Sequence, residues 1–86
     1  MLFDTHAHLD AEQFDADRDE VIAGLPGRGI GLVVDPGCDL PSSRKAAALA
    51  ERYPFIYAAA GIHPEECTGY RESDLDEVRR LAALPK

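Results

Sequence analysis

IGLVVDPG, residues 30 to 37, decides the fold. Leu32, Val33 and Val34 follow one another without the apolar–polar alternation of a half-solvated strand, and Pro36 and Gly37 then break the run. A continuous apolar strand of this kind is buried on both faces, as strands are in parallel sheets covered by helices. Two further runs, LFDTHAH (2 to 8) and FIYAAAGIHP (55 to 64), are rich in strand-forming residues or bounded by Gly and Pro.

Segments of helical periodicity lie between these runs. Phe14, Val21, Ile22 and Leu25 recur at helical spacing, with Asp15 or Asp17 as N-cap, and Pro26-Gly27 ends this helix near Leu25. A second helix is predicted from Pro41 through SSRKAAALAERY to Pro54, packing through Ala46, Ala47, Leu49, Ala50 and Tyr53. A third starts at Ser73 or Asp74, where Ser73 and Asp76 have capping-box spacing, and carries the stripe Leu75, Val78, Leu81, Ala82. Its first turn is acidic and Arg79 and Arg80 come later, as the helix dipole favours.

The order is strand, helix, strand, helix, strand, helix. His6 to Pro36 spans 30 residues and Pro36 to His63 spans 27, a βα period. Such alternation implies an α/β fold of parallel strands in the order 1-2-3, joined by right-handed crossovers. No linker or low-complexity stretch divides the chain. Three βα units leave two unpaired sheet edges, and the chain stops after a helix where another strand is due. Residues 1–86 are therefore expected to be the N-terminal portion of a larger α/β fold, an incomplete domain. An intact three-stranded domain is the alternative.

Composition narrows the function. The chain is 45% hydrophobic and 29% charged, a globular balance. No segment approaches the roughly 18 to 20 apolar residues that span a bilayer, and MLFDTHAHLD lacks the basic and apolar regions of a secretory signal. A cytoplasmic protein with no membrane partner is expected. A net charge of −7 argues against a Lys/Arg stripe on a phosphate backbone, so a nucleic-acid partner would require bound cations. Cys38 and Cys67, 29 residues apart and in no CxxC motif, read as small, partly buried thiols rather than a disulfide.

The chemistry concentrates in FDTHAHLD, residues 3 to 10. On a strand, His6 and His8 project from one face while Thr5 and Ala7 project from the other. Two strand residues rise roughly 6.6 Å, and the two imidazoles can lean onto one ion at about 2.1 Å. They can equally be half-buried strand residues that hydrogen-bond their neighbours. Their place late in the first strand faces the end where α/β folds bind ligands. Asp10 reads as a turn residue and Asp4 as a hydrogen-bonding partner of a ligand. DPGCD (35 to 39) ends the second strand, and GIHPEE (61 to 66) sets His63 just beyond the third, as a site residue or an ordinary loop histidine.

Together, FDTHAHLD, VVDPG and ERYPFIYAAAGIHPEE resemble the N-terminal third of the TatD-family metal-dependent hydrolases, which belong to the amidohydrolase-like TIM barrels. The resemblance covers essentially all 86 residues. HxH alone is shared with many hydrolases, but its combination with GIHP at this distance is specific. The resemblance implies the first three repeats of a (β/α)8 barrel that binds one or two divalent metal ions (Mg, Mn or Zn) and acts as a nuclease on DNA. His6 and His8 map onto the family's metal-ligating HxH pair. The other family ligands, a Glu after the fourth strand, two later histidines and an Asp near the eighth strand, have no counterpart here, so no catalytic residue is assigned. His63 is placed against a substrate phosphate or the attacking water.

Pro26 and Gly27 interrupt the first helix where relatives usually continue it. Two other readings share the HxH signature: an amidohydrolase acting on C–N bonds, and a non-catalytic truncated fragment that binds metal weakly. In a barrel, Val33, Ile56 and Ala58 would face an interior whose opposing wall is missing. The isolated chain is accordingly expected to self-associate through its open sheet edge and to show no turnover.

Overall fold

The computed structural model describes residues 2–63 and 71–86. Three parallel strands, β1 (Leu2–Asp4), β2 (Ile30–Pro36) and β3 (Ile56–Ala59), lie in the order 1-2-3. They alternate with the helices α1 (Arg18–Gly24), α2 (Leu40–Arg52) and α3 (Glu72–Ala82). The βα order and parallel pairing expected from the apolar runs are thus observed. In register, Phe3 meets Leu32, Asp4 meets Val33, Val33 meets Ile56 and Asp35 meets Ala58.

The outer strands are shorter than the apolar runs that contain them. Ladder pairing in β1 ends at Asp4, because the next residues turn away: the His6 amide donates to Oδ1 of Asp4 at 3.1 Å. One further bond, from the Ala7 amide to the Val34 carbonyl at 3.0 Å, keeps this segment against β2. His6 and His8 therefore sit on a loop at the end of β1, not on the strand itself.

The helices start differently from the sequence expectation. Phe14 belongs to a separate 3-10 turn, Glu12–Phe14, and Asp17 precedes α1 without a side-chain cap bond. A second 3-10 turn, Pro26–Arg28, follows α1, and Gly29 closes it at φ 87°, a conformation glycine adopts without steric cost. At α2, Asp39 is the cap: its Oδ1 accepts from the Ser42 amide at 2.8 Å, and the Ser42 hydroxyl accepts from the Asp39 amide at 3.0 Å. Such a reciprocal pair satisfies amides that the first helical turn leaves without partners. At α3 the side chain that reaches back is Asp74, which accepts from the Arg71 amide at 2.9 Å, so the expected Ser73–Asp76 box is displaced.

The core comprises Leu9, Ile22, Val33, Leu49, Ala50 and Ile56. Val33 and Ile56 are 1% and 0% exposed, which corrects the expectation that they face a missing barrel wall. They lie on the helix-covered face, and Ala58 packs beside them. By the period-two rule the opposite face carries Leu32, Val34 and Tyr57. Asp35, two residues beyond Val33, follows Val33 into the covered layer and is 0% exposed. α3 buries none of its residues fully and meets α2 through the paired Arg44 and Glu77.

Candidate functional site

The site forms where the three strands end on one side of the sheet. A cavity of about 400 Å3 there is lined by His6, His8, Pro36, Gly37, Cys38 and His63, among others. The three histidines singled out in the sequence are thus brought together, one pair from the first strand end and one residue from the third. The His6 and His8 rings stand edge to face with centroids 4.9 Å apart.

Main-chain and hydroxyl bonds hold these loops. The His63 amide donates to the Cys38 carbonyl at 2.6 Å, and the Gly37 amide donates to the Ala59 carbonyl at 2.6 Å. Ser43, buried on α2, accepts from the Gly61 amide and donates to the Gly61 carbonyl, both at 3.1 Å. This fixes the segment that carries His63. A Cβ on Gly37 would lie 2.6 Å from the Ser43 Cα, so close approach of the loop to α2 requires glycine there.

Arg18 organises the other side. Its Nε donates to the Leu9 carbonyl at 2.6 Å, and Nη2 reaches the carbonyls of Asp10 and Ala11 at 3.0 and 2.9 Å. Asp15 closes the fork at 2.6 Å. The main chain just after His8 is thereby clamped by a half-buried guanidinium.

Below the histidines lies a carboxylate pair. The Asp10 amide donates to Oδ2 of Asp35 at 3.1 Å. Burial first, and then the neighbouring Asp10 side chain, push the Asp35 carboxyl up to about 8. One ligand atom each from His8, Asp10 and Asp35 lies within 4.8 Å of the others. Among the described residues this grouping includes His8 but not His6. Asp10 lies in a turn, as expected, closed by the Ala11 amide on the His8 carbonyl at 3.2 Å, and is at the same time a buried member of the site, while Asp4 accepts from the His6 backbone amide.

Asp35, Arg18 and Ser43 were not singled out in the sequence. For Asp35 an indication existed: it shares the face of Val33, so an acid there is buried. Arg18 and Ser43 act on backbone groups and leave no residue-type pattern. Glu65, Glu66 and Cys67 lie outside the described residues. Cys38 is half-buried at the cavity wall.

With this geometry in hand, likeness to known proteins is decisive. The family model of the TatD related DNases matches residues 3–86. This chain belongs to the TatD related DNase family. Among its TatD relatives is an uncharacterized metal-dependent hydrolase, YabD of Bacillus subtilis, 44% identical over 86 residues, covering 100% of this chain and 34% of that protein. The 3'-5' ssDNA/RNA exonuclease TatD of Cronobacter turicensis is 33% identical over 85 residues, covering 99% of this chain and 32% of that protein. The crystal structure of the TatD homolog YJJV from Escherichia coli superposes with a TM-score of 0.80 at 28% identity, over 92% of this chain and 30% of that one. The chain thus spans about a third of the length of the TatD relatives it matches, and its fold is that of three N-terminal βα repeats of a TIM barrel.

Proposed function

We propose that these residues are the N-terminal portion, an incomplete domain, of a cytoplasmic divalent-metal-dependent deoxyribonuclease, with His6 and His8 as metal ligands and His63 facing the substrate. The observation that carries this reading is the meeting of His6, His8 and His63 around one cavity at the strand ends. Relatives named as a metal-dependent hydrolase and as ssDNA/RNA exonucleases support it. Among the described residues no helix is long and apolar enough to cross a membrane.

The donor set fits a cation. Imidazoles suit Zn, and nearby carboxylates suit Mg or Mn. Rings 4.9 Å apart can share one ion, and the buried Oδ1 atoms of Asp10 and Asp35, which have no hydrogen-bond partner among the described residues, mark a place short of positive charge. When bound, the cation would lower the pKa of a water ligand and neutralise charge developing on a phosphoryl oxygen. His6 and His8 would give it their ring lone pairs, which requires neutral imidazoles. The backbone of the His63 loop is held by the Cys38 carbonyl and, through Gly61, by the Ser43 hydroxyl, and the His63 ring would hydrogen-bond a phosphate oxygen. A chain of net charge −7 would then meet DNA through its cations rather than through lysines.

The test is the pair of changes His6→Ala and His8→Ala in the longest natural polypeptide containing these residues. Metal-dependent hydrolysis of single-stranded DNA should disappear, and bound divalent metal should fall in parallel. Full activity at limiting metal would rule out the ligand role. The 86-residue chain alone should self-associate in light scattering and cleave no DNA with Mg, Mn or Zn, because the described residues leave Leu32 and Val34 half-buried and Tyr57 exposed. A monomer that cleaves DNA would overturn the incomplete-domain reading.

A further inference from the structure

The carboxylate pair beneath His8 marks a place short of positive charge but is not among the ligands named for the cation. Asp10 and Asp35 are 6% and 0% exposed, and Oδ1 of each has no hydrogen-bond partner among the described residues. A buried carboxylate oxygen without a donor is costly. Arg18 gives neither oxygen a hydrogen bond; its Nε and Nη2 N–H groups go to the carbonyls of Leu9, Asp10 and Ala11 and to Asp15. Besides a proton shared between the two carboxyls, the donor within reach is the imidazole of His8, whose ring nitrogen lies within 4.8 Å of both.

We propose that Asp10 and Asp35 are positioning residues for His8. A carboxylate oxygen of the pair accepts the ring N–H that His8 does not turn toward a cation, and so fixes both its tautomer and the direction of its other nitrogen. This rests on the reading of His8 as a metal ligand. Metal-binding histidines generally give their second N–H to such an acceptor, which orients the ring and raises its basicity. The two histidines become unequal: His8, half-buried over the pair, is held in advance, whereas His6 is exposed and lies outside the cluster. Arg18 completes the device by clamping the main chain between His8 and the first helix.

The experiment uses the longest natural polypeptide containing these residues, free of metal at neutral pH. Long-range proton–nitrogen correlation spectra report the His8 tautomer, with His8→Gln for assignment. A single tautomer is expected in the unchanged protein. Asp35→Leu and Asp10→Leu should give a solvent-like tautomer mixture and weaken Mn or Zn binding about 10- to 100-fold. Asp35→Asn, which keeps an acceptor, should restore part of both. A solvent-like mixture in the unchanged protein overturns the proposal however the variants fold. Folded Asp35→Leu and Asp10→Leu proteins with unchanged tautomer and affinity also overturn it. So does the loss of one whole metal equivalent in Asp35→Asn, which would make the pair a cation site of its own. A protein that binds no divalent metal yet holds His8 in one tautomer sinks the nuclease reading while supporting the hold on His8.

Discussion

The two faces of one small sheet differ sharply. On the helix-covered face Val33 and Ile56 are 1% and 0% exposed, packed with Ile22, Leu49 and Ala50. On the other, Phe3 and Tyr57 are 64% and 39% exposed, and Leu32 and Val34 are half-buried. Both faces are apolar, so hydrophobicity alone does not tell them apart; the difference is whether the described residues supply a covering layer. A contiguous exposed apolar face marks a surface that something else covers. The same contrast explains why the polar groups of the site divide as they do. Asp35 turns to the covered face and is buried, whereas His6 and His63, on the strand-end loops, stay exposed.

The largest expected effect breaks the comparison directly. Ile56→Ala leaves a cavity against α2 and should cost about 2–5 kcal/mol. Phe3→Ala, on the bare face, should stay within about 0.5 kcal/mol. Urea titrations of the two variants check this through the shift in midpoint at constant slope. Equal losses would show that the bare face is covered in solution, as self-association would make it.

The next effect lies where the covered face passes into the site. Gly37→Ala places a methyl group 2.6 Å from the Ser43 Cα, and backbone must move to admit it. A loss of about 1–3 kcal/mol is expected, as for overpacked cores. Because Ser43 also holds Gly61, the amide signal of His63 should shift as well. Wild-type stability with an unmoved His63 would show that the loop and α2 are not as close as described.

The parts of this architecture that were legible in the sequence follow from local chemistry. Apolar runs set off by Pro and Gly mark the strands, and the βα period foretells that His6, His8 and His63 meet at one end. What was illegible depends on partners distant in the chain. The ends of β1 and β3 are set by where a neighbouring strand stops offering hydrogen bonds, which no run of residues announces. The assignment of Val33 and Ile56 to the covered face needs the three-dimensional placement of α2. Asp35 looks like an ordinary turn acid until Asp10 is brought beside it from 25 residues away. Arg18 is invisible for a similar reason, since its targets are carbonyls that every residue possesses.

A smaller effect concerns how α2, the lid of the covered face, begins. The Asp39 side chain accepts from the Ser42 amide, which holds its carboxyl below the usual carboxylate range. Asp39→Ala should cost about 0.5–2 kcal/mol, the usual range for a lost N-cap. Asp39→Ser, which can still cap, should recover most of the urea midpoint. No recovery would mean that the aspartate acts through something other than its hydrogen bond to the helix.

The smallest effect belongs to the outermost layer, where α3 is fastened to α2 by charge more than by burial. Glu77 accepts from Arg44 at 2.6 Å and meets Arg80 at 3.3 Å. The Arg44 hydrogen bond holds its carboxyl below the ordinary 4.5. A carboxyl depressed in the folded state adds stability above its unfolded pKa, and that contribution is lost as pH falls through the lower folded value. The unchanged protein should therefore lose this part of its stability only below about pH 4.5, and Glu77→Gln should flatten that part of the acid limb. The Arg44 side chain is 53% exposed, so added salt should screen the pair and shrink the difference between the two proteins at neutral pH. The same substitution should leave the Ile56→Ala loss unchanged, because the buried face and the α2–α3 pair share no partner. Urea midpoints measured across the acid range for both proteins check this. Identical acid limbs would mean that the covering of α2 by α3 does not depend on Glu77.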